Sequence, residues 1–105
     1  MRDINDVGEI IADRELMFFP DKGESELVYV RIGKPSLCTD ELDWSCPYEI
    51  VSDSYRLVFR MIGIDSLQAL QLTLKSIPAE IQHWEQTRSG HFQFLNEPGA
   101  GIWTL

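Results

Sequence analysis

The sequence predicts an α+β fold, in which an antiparallel sheet of about four to six strands carries one long helix on one face. Two observations predict it. In residues 26–33 and 55–62, successive side chains alternate between two faces with the period of strands. From residue 63 onward, the apolar spacing becomes that of a helix. Residues 1–105 are expected to form a single domain, since the length is close to the commonest domain size.

The first two strand candidates are separated by a turn. The first covers residues 9–19 and is expected to be interrupted, and the "PDKG" of residues 20–23 then supplies the proline and glycine of a turn. The second covers residues 26–33, where Val28, Val30 and Ile32 share one face by alternation.

A loop and two further hairpins are expected after these strands. Residues 36–45, "SLCTDELDWS", are expected to form an acidic loop. Residues 48–51 and 55–62 then predict two strands that pair across a short turn. Near the C-terminus, "HFQFL" and "GIWTL" predict a final hairpin across the turn at residues 96–101.

The helix is predicted from a stripe of apolar residues and from its first turn. Asp65 is a suitable N-cap, and Gln68 follows three residues later as in a capping box. Pro78 removes one helical hydrogen bond, but the stripe keeps its phase across it, which predicts a single helix kinked at the proline. The stripe consists of Leu67, Leu70, Leu74, Ile77, Ile81 and Trp84.

The formal charge is strongly negative and unevenly distributed. The chain carries −8 overall, with 13 acids and 5 bases in residues 1–53 but 4 of each in residues 54–105. Such a field repels nucleic acid and attracts basic proteins, so direct nucleic-acid binding is disfavoured. The alternative is that the acidity serves solubility alone.

The contact expected for a basic partner is the acidic loop. Asp40, Glu41 and Asp43 lie there beside Trp44, and carboxylates on a loop stay ionised and project their field. The loop lacks the glycine and the spaced oxygen ligands of a calcium loop, so no metal is expected there.

The cysteines and histidines do not predict catalysis. Cys46 precedes Pro47 and a strand, so it lacks the helix N-terminus that would activate a nucleophile, and it is expected to be a small buried residue. A disulfide to Cys38 stays open as an alternative. The spacing of the two cysteines, like that of His83 and His91, does not match a zinc finger. No cofactor and no enzymatic activity are therefore expected.

Three short segments resemble a family of small bacterial proteins of unknown function. They are "RIGKP", "DWSCPYEI" and "GIDSLQALQL", which fall in order within residues 26–82. The resemblance implies an α+β fold and a bacterial or phage-like source, and it implies no activity. The matching residues are Gly33, Lys34, Pro35, Trp44, Cys46, Pro47, Tyr48, Gly63, Asp65, Gln68, Ala69 and Leu70.

Small size, acidity and the absence of a catalytic motif favour a protein-binding module. An inhibitor, immunity protein or antitoxin-like protein acting on a basic or nucleic-acid-handling partner fits these features. The alternative is a small-molecule enzyme or ligand-binding domain with a pocket between helix and sheet. The sequence contains no membrane-spanning run, and its acidic first ten residues do not resemble a signal peptide, so a cytoplasmic location is expected.

Overall fold

The computed structural model describes residues 7–39 and 42–102 and confirms the α+β fold, with one helix packed on an antiparallel sheet. In chain order, the elements are β1 (Ile10–Pro20), β2 (Glu26–Gly33), β3 (Ser36–Leu37), β4 (Trp44–Val51), β5 (Arg56–Gly63), α1 (Ser66–Thr87), β6 (Gly90–Phe94) and β7 (Glu97–Pro98). The described part of the chain contains no helix that is both long and apolar enough to cross a membrane.

The described strands form one sheet in which every pairing is antiparallel. Its main path runs β5-β4-β2-β1-β6-β7. Because β5 pairs with β4 over its full length, β2 and the short β3 share the other edge of β4. The predicted hairpin of residues 48–51 and 55–62 is thus confirmed, and its first strand begins earlier, at Trp44.

The first strand was expected to be interrupted, but β1 is one continuous strand of 11 residues, and its only irregularity among the described pairings is a shift in register. Ile10 pairs with Gly33, but Ala12 pairs with Ile32, so Ile11 is an extra residue in β1. Such a bulge bends a strand and increases its twist.

The C-terminal hairpin differs from the prediction. "HFQFL" does contribute a strand, but β6 pairs with Glu97 and Pro98 rather than with "GIWTL". The reason is the turn: Leu95 and Asn96 both have positive φ, at 51° and 67°, which suits a two-residue type I′ turn. The second strand of the hairpin therefore begins at Glu97, four residues before the "GIWTL" that was expected to supply it. Residues 103–105 lie outside the described part of the chain.

The helix is single, as predicted, and extends over 22 residues with Pro78 inside it. The Asp65 carboxylate accepts from the Gln68 backbone N–H at 2.7 Å, and the Gln68 side chain accepts from the Ile64 N–H at 2.7 Å. This reciprocal arrangement confirms the predicted cap and satisfies two amides near the helix start.

The predicted face of the helix is only partly right in its first half, where Leu70 is half-buried against the core as expected but Leu67 and Leu74 are not buried. Leu67 is 62% exposed and Leu74 is 39% exposed, whereas Ala69 and Thr73 are fully buried. The reason is close packing at the start of the helix, because small residues allow its backbone to approach the sheet. A Cβ on Gly63 of β5 would lie only 2.5 Å from the backbone nitrogen of Ala69. From there on, Ile77, Ile81 and Trp84 are buried as predicted.

Candidate partner-binding site

The segment predicted as an acidic loop is instead a short hairpin. Ser36 pairs with Ser45, and Leu37 pairs with Trp44, so β3 continues the edge along which β2 pairs with β4. The Cys38 backbone N–H closes the connection by donating to the carbonyl of Asp43 at 2.7 Å. The sequence missed this pairing because a two-residue strand is too short to show alternation.

The structure describes only part of the acidic site that the sequence predicts. Asp43 is half-buried at the base of the hairpin, next to Trp44, where β4 begins. Trp44 is half-buried and packs against the hydrophobic core. Asp40 and Glu41 lie outside the described residues. That the three carboxylates form one contact with a partner is therefore a proposal.

Most of the other described acids of the first half are exposed at strand surfaces and turns. Glu26 is half-buried, and Glu49 is buried on the sheet face opposite the helix. The Glu49 carboxylate oxygens contact Arg31 of β2 at 3.2 Å and Arg56 of β5 at 2.8 Å. This network neutralises one acid internally. The exposed acids are Glu9, Asp13, Glu15, Asp21, Glu24 and Asp53.

Cys46 is fully buried, as the sequence predicted. Its thiol faces the Gly33 carbonyl at 3.6 Å, and its own carbonyl accepts from the Thr73 hydroxyl at 3.2 Å. Burial raises the pKa of the Cys46 thiol above its ordinary value of 9.0, and a hydrogen bond from Thr73 lowers that pKa by less. The thiol is therefore protonated at neutral pH, whereas a nucleophilic cysteine needs a lowered pKa.

We expect Cys46 in the folded protein to resist a disulfide-based thiol reagent at pH 7, while the half-buried Cys38 reacts. Cys46 should react only when denaturant unfolds the chain. Replacement of Cys46 by serine should lower stability, and alanine should do less harm, because a hydroxyl is buried at greater cost than a thiol. Since the folded-state pKa is raised, the thiol's contribution to stability is constant below about pH 9 and falls as the pH rises further. Rapid labelling of Cys46 at neutral pH would contradict this assignment.

The remaining candidate ligands do not come together. Both cysteines are free, so Cys38 and Cys46 form no disulfide. His91 of β6 stacks on Phe19 of β1 with ring centroids 5.5 Å apart. Across residues 7–39 and 42–102, no group of three or more histidine, cysteine or acidic side chains is placed to hold a metal ion.

A groove lies between the second half of α1 and the start of β5, with a volume of about 460 Å³. Tyr55 and Trp84 meet edge to face at 5.2 Å between ring centroids. The guanidinium carbon of Arg88 lies 4.3 Å from the ring centroid of Tyr55 and 5.2 Å from that of Trp84. Leu57, Glu80, His83 and Thr87 complete the lining.

Trp84 belongs to the predicted apolar stripe and is buried, whereas its neighbour His83 is exposed. Neither Tyr55 nor Arg88 was predicted as a site residue from the sequence. A partial signal was available, because Trp84 and Arg88 are four residues apart and so share one helix face. Tyr55 reaches them only through the pairing of β5, which spacing along the chain does not reveal.

One comparison with known proteins gives a match. A protein-family model described as Domain of unknown function (DUF6968) matches residues 12–103. Neither the curated proteins nor the solved structures compared with the chain contain a match. The matched region extends from β1 to beyond β7 and therefore includes the sheet, the helix and the groove. The chain belongs to this family of proteins that share a domain of unknown function.

Proposed function

We propose that this chain is a small, non-enzymatic protein-binding module of a bacterial or phage-encoded kind. It acts in the cytoplasm as an inhibitor, immunity protein or antitoxin-like protein, on a basic or nucleic-acid-handling partner. Asp40, Glu41 and Asp43 form its contact with that partner. The observation that carries the proposal is the charge division between residues 1–53 and residues 54–105, −8 against 0.

The surface distribution of charge supports this proposal. Exposed acids occupy β1 and the two turns at one end of the sheet, and Asp43 lies half-buried at the base of the hairpin of β3 and β4 at the other end. Carboxylates arranged in this way imitate the phosphates of a nucleic acid toward a basic cleft. They also raise the association rate, because they attract a positively charged partner over roughly a Debye length, ~8 Å at physiological salt.

The state of the candidate nucleophile also supports a non-enzymatic role. Cys46 is buried, and the pKa of its thiol is raised, so the side chain is unsuited to attack a substrate. The competing function is a ligand-binding domain, and the groove beside Trp84 is the observation that favours it.

Affinity purification of the tagged chain from its native host, followed by mass spectrometry, separates the two functions. The proposal predicts a basic protein in roughly stoichiometric amount. A co-purified metabolite, with no stoichiometric protein, would favour the ligand-binding function instead.

A matched bait controls for charge alone. An unrelated protein of similar size with a net charge of −8 should capture abundant basic proteins of the host without enriching the specific one. If both baits retain the same proteins in the same ratio, the capture is non-specific and the proposal loses its support.

A further inference from the structure

The helix crosses the sheet diagonally. It leaves the helix-side face of the sheet uncovered at two places. At its start, Ala69 packs on Gly63 at the end of β5. In the middle, the Thr73 hydroxyl donates to a carbonyl of β4. Toward its end, Trp84 packs edge to face on Phe92 of β6, with centroids 5.9 Å apart. One gap therefore lies beside β1 and β2, near the helix start, and the other beside β5, near the helix end.

The C-terminal segment closes off most of the gap beside β1. Ala100 and Ile102 pack against the core there. Arg14 of β1 holds the segment by donating to the carbonyls of Ala100 and Gly101 at 3.1 and 2.7 Å. The cavity that remains at this place has a volume of about 330 Å³. Residues 100–102 thus cover a part of the sheet that the helix does not reach.

No described segment covers the gap beside β5, which is the groove lined by Tyr55, Trp84 and Arg88. Within residues 7–39 and 42–102, β5 pairs with β4 alone, so half of its backbone groups point away from the sheet. Its aromatic side chains on the helix side are exposed, Tyr55 to 44% and Phe59 to 54%. An eight-residue edge strand with an apolar inner face is suited to pair with another strand.

The polar groups of the groove indicate which strand would fit. Among the described residues, the Arg88 guanidinium has no carboxylate within ion-pair distance. It stacks on the rings of Tyr55 and Trp84, which hold it in place. The buried indole N–H of Trp84 likewise has no acceptor there. Glu80 lies two helical turns before Arg88, roughly 12 Å along the axis. The groove is thus positive at its Arg88 end and negative at its Glu80 end.

We propose that the groove binds an extended peptide segment of another protein, which adds as a strand to the free edge of β5. Main-chain hydrogen bonds to β5 supply much of the affinity, and alternate side chains of the peptide enter the groove. An acidic side chain pairs with Arg88, and an apolar side chain packs near Leu57 and Phe59. Charge complementarity selects the acid, because a guanidinium fixed by stacking presents its N–H donors to a carboxylate.

This site is separate from the hairpin of β3 and β4, with its connection at residues 38–43, called the acidic hairpin below. The hairpin adjoins Trp44, which pairs with Gly63 at one end of β5, whereas Tyr55 and Arg88 lie at the other end. Seven residue steps of strand separate the two ends, roughly 24 Å. The two sites can therefore succeed or fail independently in an experiment.

Selection from a phage-displayed library of random octapeptides tests the proposal on the intact chain. We expect enriched sequences to alternate β-branched or aromatic residues with polar ones and to carry one aspartate or glutamate at a fixed position. The enriched peptide, made synthetically, should bind with an affinity that Arg88→Gln lowers roughly tenfold or more, since it removes a charge-assisted contact. Arg60→Gln is the matched control, because Arg60 lies on the other face of β5, and it should change the affinity less than about twofold.

Nuclear magnetic resonance on the unmodified protein gives an independent result. The synthetic peptide should shift the amide signals of residues 56–63 and the indole signal of Trp84. The proposal is overturned if the library yields no enriched sequence, if Arg88→Gln and Arg60→Gln behave alike, or if the shifts map to the acidic hairpin. Circular dichroism melts establish that both variants are folded.

Discussion

Replacement of Ile77 by alanine should lower the free energy of unfolding by roughly 2–5 kcal/mol. Ile77 is fully buried in the middle of α1, where it faces the sheet and belongs to the same core as Val30 and Ile50. Truncation removes three carbon atoms from a site that the surrounding side chains can only partly refill. Urea denaturation followed by circular dichroism measures the change.

Leu67→Ala is the control on the same helix. Leu67 is 62% exposed, so its truncation should cost less than about 0.5 kcal/mol. The intermediate exposure of Leu74, at 39%, predicts a loss between the two. If Leu67→Ala and Ile77→Ala were equally destabilising, the helix would present the leucine stripe to the sheet after all.

Replacement of Gly63 by alanine should destabilise the protein by roughly 2–4 kcal/mol, although a strand interior ordinarily favours alanine over glycine. The added Cβ would lie 2.5 Å from the Ala69 nitrogen and 3.0 Å from the Ala69 Cα, and both atoms belong to helix backbone that cannot rotate away. The helix start must therefore move off β5. A thermal or urea melt detects this loss directly.

Ile62→Ala controls for the position in the strand. Ile62 is the neighbouring residue, it is 43% exposed, and it points to the opposite face. Its truncation should cost less than about 1 kcal/mol. A Gly63→Ala variant as stable as the parent would show that helix and strand are further apart than the close packing of Ala69 requires.

The strands and the helix were predictable because the spacing of apolar residues is a local property of the sequence. Residues 26–33 alternate, and Asp65 followed by Gln68 marks the helix start, so these elements have nearly the expected bounds. The first strand, expected to be interrupted, is instead continuous with a bulge near its start. Local patterns therefore identified the element types and most of their ends.

The helix face was not predictable in the same way. The leucine stripe is the largest apolar stripe in the sequence, but the sheet is contacted by Ala69 and Thr73 at the start of the helix. Which face packs depends on the glycine that ends β5, because Gly63 allows backbone to approach backbone. That partnership is tertiary. Ala69 and Thr73 share the helical spacing of the buried Ile77 and Ile81, but they are less apolar than Leu67 and so did not mark the buried face.

The candidate sites differ in how much of them the sequence contains. The acidic segment was predicted from charge alone, since its carboxylates are neighbours in the sequence whatever the fold. The groove was missed, because Tyr55 and Arg88 are 33 positions apart in the sequence and meet only across the sheet and helix. Its free edge follows from topology, namely from β5 having β4 as its one described neighbour.

The rate of association tests most directly the proposal that the hairpin of β3 and β4 binds a basic protein. Surface plasmon resonance against the captured partner, at low and high salt, compares the parent with the triple variant Asp40→Asn, Glu41→Gln and Asp43→Asn. A variant with Asp21→Asn, Glu24→Gln and Asp53→Asn removes the same charge from the opposite end of the sheet. We predict that the hairpin variant associates more slowly and with a flatter salt dependence, while the matched variant changes less. Equal association rates for the parent and the hairpin variant at both salt concentrations would contradict the claim.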